Sequence, residues 1–306
     1  MQGYDYFTDG GTGELFAIQR STGAITEAVT VTVPVGTYFK TPEQQEADRR
    51  HNEGLRRKVE REETRRAKSE GLKELGKYFF AVCDDFTGLS DATVARLVYL
   101  ATFLPIDSGK LYKTERTPLR AEDLPHLMGL SQKSVGRFLE EAKAHIVVEE
   151  DGGVFLSSPV FIRGNLPKEQ YTAMQRLYRD SIRSLYRTTP LNKHHLLGLI
   201  YRLLPYINQE FNVLCHNPEE TQIDNIELLS LREFCDLIGK NYAKMYRLRA
   251  ELKKLVFDVD GKKVLFCNFV SAGADVASTR IFINPRILYN GSNYKNVEIL
   301  GKFCEL

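Results

Sequence analysis

Leu119-Arg120-Ala121-Glu122-Asp123-Leu124-Pro125-His126-Leu127-Met128-Gly129-Leu130-Ser131-Gln132-Lys133-Ser134-Val135-Gly136-Arg137-Phe138-Leu139 sets the pattern on which the fold turns, because the chain repeats it. The second copy is Leu229-Ser230-Leu231-Arg232-Glu233-Phe234-Cys235-Asp236-Leu237-Ile238-Gly239-Lys240-Asn241-Tyr242-Ala243-Lys244-Met245-Tyr246-Arg247-Leu248. Placing Gly129 on Gly239, an offset of 110 residues, also places Leu119 on Leu229, Leu124 on Phe234, Leu127 on Leu237, Val135 on Met245 and Arg137 on Arg247. Agreement at six positions in one register points to an internal repeat of roughly a hundred residues.

Each part of the repeat has a physical reason. Leu124, Leu127 and Met128 recur at helical spacing, and Gly129 can take the left-handed conformation that ends a helix. Ser131, or Asn241 in the second copy, can cap the next helix, whose apolar positions are Val135, Phe138 and Leu139, or Met245, Leu248 and Leu252. Ile146-Val147-Val148 then leads through Asp151-Gly152-Gly153 to Val154-Phe155-Leu156, and Val256-Phe257 leads through Asp260-Gly261 to Lys262-Lys263-Val264-Leu265-Phe266. Both read as β-hairpins. An apolar helix precedes each motif, on Val94, Leu97, Val98, Leu100 and Leu104 and on Leu196, Leu199, Ile200, Leu203 and Leu204. That order is a winged helix-turn-helix, and the expected fold class is α+β, mainly helical, with two tandem winged helix-turn-helix domains and a small N-terminal β unit. The second helix of each motif is the expected recognition helix. Its outward polar positions are Gln132, Lys133, Ser134 and Arg137 in the first copy, and Tyr242, Lys244, Arg247 and Arg249 in the second.

Composition narrows the function classes. The 306 residues are 42% hydrophobic and 27% charged, which suits a soluble globular chain of two or more domains. No window reaches the length of a membrane span and no basic-then-apolar leader opens the chain, so a cytoplasmic protein is expected. Cys83, Cys215, Cys235, Cys267 and Cys304 are far apart and lack Cys-x-x-Cys spacing, which indicates neither a zinc site nor a disulfide framework. There is no Walker motif, no Gly-x-Ser-x-Gly and no His-hydrophobic-His pattern of a rolling-circle nuclease. His194-His195, at the start of an apolar helix, reads as a helix-cap pair rather than metal ligands. A binding protein without cofactor or enzymatic activity is therefore expected.

The net charge of +2 is modest, so the placement of charge matters more than its sum. Residues 240–263 hold eight Lys or Arg against three Asp or Glu, and residues 161–207 hold eight against two. Residues 208–239 invert this, with seven acids against Arg232 alone. Segregation of this kind is what a one-faced polyanion site requires. Lys262 and Lys263 extend the basic surface onto the second wing, whereas Glu149, Glu150 and Asp151 open the first with charges that phosphate would repel. The two copies are thus expected to be unequal, the second contributing more affinity and the first binding DNA through its helix alone or binding a protein.

The domain boundaries follow. Residues 1–40 form a small β unit, with strands at Glu14–Ile18, Ala24–Thr26 and Val29–Val33, and the Gly10–Gly13 run reads as a turn. Residues 41–77 form a charged helical arm or linker beginning at Thr41-Pro42, in which Arg56, Arg57, Lys58, Arg61, Arg65, Arg66 and Lys68 are interleaved with acids. The first winged helix occupies 78–165 and the second 191–306. Between them, residues 166–190 read as a connector helix over Pro167–Tyr186, on which Arg176, Arg179, Arg183 and Arg187 make a basic stripe able to meet phosphates.

Leu89-Ser90, Leu97, Tyr99-Leu100-Ala101-Thr102 and Met128-Gly129-Leu130-Ser131 resemble the replication (Rep-type) proteins of Gram-positive, Firmicutes phages and plasmids, as do Phe161-Ile162-Arg163-Gly164, Ile283-Asn284-Pro285-Arg286 and Tyr289-Asn290-Gly291. The resemblance covers residues 75–295. It implies a replication initiator that sets both recognition helices into successive major grooves of double-stranded DNA, with host or phage replication proteins as further partners. The acidic first wing departs from that pattern. A transcription regulator of the same architecture, or a phage-encoded protein-interaction adaptor or inhibitor, fits the same residues. Two modules in one chain can cover two half-sites, so both monomer and dimer are compatible with the reading.

Overall fold

The structure is a computed structural model that describes residues 4–8, 15–19, 22, 24–26, 42–82, 86–157, 160–164, 174–271, 279–291 and 294–306. Its contacts divide the chain into two compact units, Met1–Arg66 and Ala67–Leu306. The class is α+β, with small antiparallel sheets and short helices.

In the first unit β1 (Tyr4–Thr8), β2 (Leu15–Gln19) and β3 (Ile25–Thr26) form an antiparallel sheet in that order, with Phe7 opposite Phe16 and Ile18 opposite Ile25. The first of these strands was not anticipated from the sequence. Val29–Val33 and the Gly10–Gly13 run lie outside the described residues. Helix α1 (Pro42–Leu75) follows. From Arg49 to Glu63 its side chains are exposed, including Arg56, Arg57, Lys58 and Arg61, as expected for a helix whose sequence offers no apolar stripe to bury.

The second unit has one continuous core that runs from Phe79 to Leu288 and takes in both halves of the repeat. Strand β4 (Tyr78–Val82) is the centre of a three-stranded sheet between β7 (Phe161–Ile162) and β8 (Met174–Tyr178). This corrects the expected connector helix. Residues Met174–Tyr178 are extended and all five are buried, paired with β4 from Tyr78 opposite Tyr178 to Val82 opposite Met174. Helix begins only at Arg179, in α5 (Arg179–Thr188). The sheet partner overrode a period of three and four that the arginines happened to share. Residues 167–173, the start of the expected helix, are outside the described residues.

In the first half, α2 (Asp91–Ala101) starts at Ser90, whose hydroxyl accepts from the Thr93 amide, and buries Val94, Leu97, Val98 and Leu100. Short α3 (Leu124–Met128) ends at Gly129, whose φ of 66° is left-handed. Helix α4 (Gln132–Glu141) follows, capped by Ser131, and then the hairpin of β5 (Ile146–Val148) and β6 (Val154–Leu156). The second half has α6 (His194–Tyr201), then α7 (Leu231–Leu237), Gly239 with φ 63°, α8 (Met245–Leu252) and the hairpin of β9 (Val256–Val259) and β10 (Lys262–Leu265). The offset of 110 carries Ile146 onto Val256 at the start of one hairpin strand and Val154 onto Val264 in the other. Leu119 and Leu229, Leu124 and Phe234, and Val135 and Met245 are buried pairwise. Leu237 departs from this, since it is exposed where Leu127 is partly buried. β11 (Cys267–Ser271), β12 (Thr279–Ile283) and α9 (Lys295–Phe303) complete the unit.

The two halves are joined through their first helices. Gly198 on α6 lies so close to α2 that a Cβ there would sit 1.7 Å from the Asp91 carbonyl oxygen. Arg202 donates to Asp91 Oδ1 at 2.8 Å, to the Phe86 carbonyl at 2.8 Å and to the Leu89 carbonyl. Tyr99 of α2 stacks on Tyr186 of α5 with ring centroids 3.9 Å apart. On the far side of α5, the Asp258 amide of β9 donates to Ser184 Oγ at 2.9 Å, and Lys193 pairs with Glu251 of α8 at 2.9 Å. The halves therefore share one packed core rather than meeting only through a linker.

Candidate nucleic-acid interface

The candidate surface consists of the second helix and the hairpin of each half. In the first half Val135 and Phe138 anchor α4 in the core and leave Gln132, Lys133 and Arg137 exposed. Ser134 is half-buried and its hydroxyl lies 3.0 Å from Ser131 Oγ, within the cap of the helix. The other end of α4 is tied down, since Glu141 accepts from the Ser90 amide and from Thr93 Oγ1 at 2.7 Å. The acidic hairpin tip is partly neutralised by Lys110, whose Nζ lies 2.6 Å from Glu149 and 3.4 Å from Asp151. The hydrogen bond to Glu149 raises the Lys110 pKa, and the Gly153 amide followed by Lys110 lowers that of Asp151. The tip is thus a self-paired cluster in which Lys110 is already engaged.

The second half has a different electrostatic character. Asn241 caps a single 3-10 turn, Tyr242–Lys244, before α8 begins at Met245. Met245 and Leu252 bury the inner face, leaving Lys244 and Arg247 exposed. Lys240, Lys253, Lys254, Lys262 and Lys263 are exposed around them, the last two where β10 leaves the hairpin turn. None of these seven cations is ion-paired among the described residues, whereas Lys143, in the turn after α4, is bound to Glu140 at 2.8 Å. Unpaired exposed cations can exchange bulk counterions for phosphate oxygens without first breaking a protein contact. Tyr242 and Arg249 sit deeper. The Arg232 guanidinium lies 5.4 Å from the Tyr242 ring centroid, and that of Arg249 lies 5.3 Å from the Phe269 ring centroid.

Tyr246, 70% exposed beside Arg247, belongs to this surface although the sequence reading passed over it. The signal was available: with Met245, Leu248 and Leu252 inward, a tyrosine following Met245 falls off the apolar face.

The arginines expected to form a stripe are placed otherwise. Arg176 is on β8, 9% exposed, with Nη1 on the Tyr289 carbonyl at 3.3 Å and its guanidinium 4.9 Å from the Tyr78 ring centroid. It is a core residue, not a phosphate contact. Arg179 and Arg183 are half-buried and both donate to the Thr102 carbonyl, at 2.6 and 2.8 Å. Of the four only Arg187 is exposed. The period-based stripe fails because β8 and α5 give Arg176 and Arg179 different backbone geometries, and the end of α2 takes up the guanidiniums of Arg179 and Arg183.

His194 is buried with Nε2 between the carbonyls of Tyr186 and Thr189 at 3.1 and 3.0 Å, and burial lowers its pKa. His195 is exposed. Among the described residues no group of three or more His, Cys, Asp or Glu side chains could hold a metal ion. Cys215, Cys235, Cys267 and Cys304 are buried free thiols, and Cys83 is outside the described residues. Among the described residues no helix is long and apolar enough to cross a membrane.

The start of the second helix pair has its own electrostatic lock. Ser230 Oγ and the Ser230 amide both donate to Glu233, at 2.7 and 2.8 Å, and His216 Nε2 lies 3.2 Å away. The Ser230 hydroxyl, then its amide, then His216 hold the Glu233 carboxyl down to about 2 from an ordinary 4.5. A depressed carboxyl stabilises the fold above its unfolded-state pKa and loses that contribution as pH falls through the folded value. Wild type is therefore expected to exceed Glu233→Gln in urea-unfolding stability at pH 6, the gap closing between pH 4.5 and about 2. A gap independent of pH would remove the charge from the account.

No protein-family profile and no curated protein sequence matches the chain. One solved structure similar to it is the crystal structure of the Pi initiator protein in complex with iteron DNA, at 14% identity and a TM-score of 0.30 over 67% of this chain and 96% of that one. A likeness at that TM-score is too low to carry either fold or function across.

Proposed function

We propose that the chain is a sequence-specific double-stranded DNA-binding protein whose two repeats are tandem winged helices, and that it acts as a replication initiator of the phage or plasmid type. The observation that carries this reading is the set of exposed cations Lys244, Arg247, Lys262 and Lys263, on or just before α8 and on β10 and not ion-paired among the described residues, which occupy the recognition-helix and wing positions of the motif. Lys133 and Arg137 hold the corresponding helix positions on α4 and contribute less charge, and the self-paired hairpin tip of the first half adds none. The second half therefore supplies most of the phosphate affinity, while Gln132, Lys133 and Arg137 read a second groove or meet a protein partner.

The test is selection of retained sequences from a random duplex pool and from the encoding locus at two salt concentrations. Enrichment of paired half-sites about one helical turn apart is the expected outcome. Their position then separates initiator from regulator, since an iterated array marks an origin and a single promoter-proximal site marks regulation. Weak unenriched binding, at about 10⁻⁴ to 10⁻⁶ M, would overturn the reading.

A further inference from the structure

We propose that a cleft at the C-terminal end of α2 is a phosphate-binding site, separate from the candidate DNA-reading helices. The cleft encloses 560 Å³, within the range of about 300–1,000 Å³ that small-ligand sites occupy. Its cationic side is built by Lys77, Arg163 and Arg179, with Arg183 next to Arg179 on α5, and its apolar side by Phe103, Ile106 and Tyr112.

Three guanidiniums converge on one helix end. Arg163 Nη1 donates to the Leu104 carbonyl at 2.9 Å, Arg179 Nε to the Thr102 carbonyl, and Arg183 to both the carbonyl and the hydroxyl of Thr102. Carbonyls at a helix C-terminus attract cations, but the helix end carries only about half an elementary charge. One arginine would satisfy it. Arg179 is pushed down to about 10, by burial first and then by the charges of Arg163 and Arg183, and burial lowers Arg183 as well. Asp180 acts in the opposite direction on both, Glu115 is on the lining, and Asp107 packs against Gly164 beside Arg163. Neither Asp180 nor Glu115 is within ion-pair distance of Lys77, Arg163, Arg179 or Arg183, and among the described residues the one ion pair on the cleft lining is Lys113 with Asp123 at 2.8 Å. Half-buried like charges without a counter-ion are costly, and an anion entering the cleft would relieve the repulsion.

The chemistry points to a phosphate. Arg163 keeps Nε and Nη2, and Arg179 keeps both terminal nitrogens, free of the hydrogen bonds described above, so two planar forks can bind oxygens bidentately with Lys77 as a third donor. The ring of Tyr112 and the side chain of Ile106 give a flat or apolar substituent a place to rest. A phosphate ester in this position can come from a free mononucleotide or from a nucleic-acid backbone.

Calorimetric titration of the full chain with adenosine diphosphate and with inorganic pyrophosphate at low salt tests the first source without any DNA. Binding is expected, weakened about tenfold by Arg163→Gln, which removes charged hydrogen bonds. Lys77→Gln, at an exposed side chain whose loss leaves the fold intact, is expected to weaken it severalfold with an unchanged melting temperature. If neither anion binds but both variants flatten the salt dependence of duplex binding by about one unit each, the source is nucleic-acid backbone. If the anions do not bind and the salt dependence is unmoved, the arginines are a helix cap and the proposal fails. Anion binding with no duplex binding at all would sink the proposed DNA reading and leave this site standing.

Discussion

Gly198→Ala is expected to lower stability by about 3 kcal/mol and the melting temperature by roughly 6–12 °C, judged from overpacking costs and the size of the chain. Local propensity predicts the opposite sign, because replacing a helical glycine by alanine ordinarily gains up to about 1 kcal/mol. The tertiary contact wins. A Cβ on Gly198 would meet Asp91 O at 1.7 Å and Asp91 C at 2.5 Å, and both are backbone atoms of α2 that no rotamer change can remove. Relief requires α6 to move away from α2, which would strain the Arg202 bonds to Asp91, Phe86 and Leu89. Gly136→Ala is the matched control, since that glycine is in α4 with nothing within 4 Å of an added Cβ, and it should stabilise slightly. Urea melts of the two variants decide the matter: equal small shifts would mean that the two first helices do not touch as described. Because the same contact sets one half of the repeat against the other, Gly198→Ala should also blur the preference for a fixed half-site spacing in duplex selection.

The legible part of the fold was the part written in a local code. Gly129 and its repeat partner Gly239 announced left-handed helix ends, Ser131 and Asn241 were positioned to cap, and the two Asp-Gly turns marked hairpins. Each depends on residues within a few positions of one another, and the structure places all of them where the local chemistry puts them. What could not be read was chosen by distant partners. Met174–Tyr178 became a strand because β4, nearly a hundred residues earlier, offered an open edge, and that choice turned Arg176 inward. Arg179 and Arg183 follow helical spacing as expected, yet the carbonyl of Thr102 at the end of α2 claims both guanidiniums. The candidate surface divides in the same way. Gln132, Lys133 and Arg137 on α4 and Arg247 on α8 are exposed as periodicity placed them, while Ser134, Tyr242 and Arg249 sit deeper and exposed Tyr246 was missed; the pairing of Lys110 with Glu149 and Asp151 joins segments some forty residues apart, which no local pattern displays.

Replacing Lys244, Arg247, Lys262 and Lys263 by glutamine should flatten the slope of log affinity against log salt by about 3.6, if each cation displaces one counterion from B-DNA. This is the larger of two unequal effects. The corresponding first-half variant, Lys133→Gln with Arg137→Gln, removes two exposed cations and should flatten it by about 1.8 on the same count. Both variants should fold as wild type, because none of the six side chains is buried or ion-paired among the described residues. Slope and selectivity separate the roles further. A cation on phosphate weakens binding to all duplexes alike, whereas a side chain on a base edge costs about 1–3 kcal/mol at one position of the site and relaxes the preference there. Lys262 and Lys263, on a hairpin, are expected to behave in the first way, and Tyr246, beside Arg247 on the exposed side of α8, in the second. Filter binding over 50–200 mM salt, with the selected site and a scrambled duplex in parallel, distinguishes them. If the first-half variant matched the second-half one in slope, the asymmetry argued from Lys110, Glu149 and Asp151 would be wrong, and the two halves would grip DNA as equals.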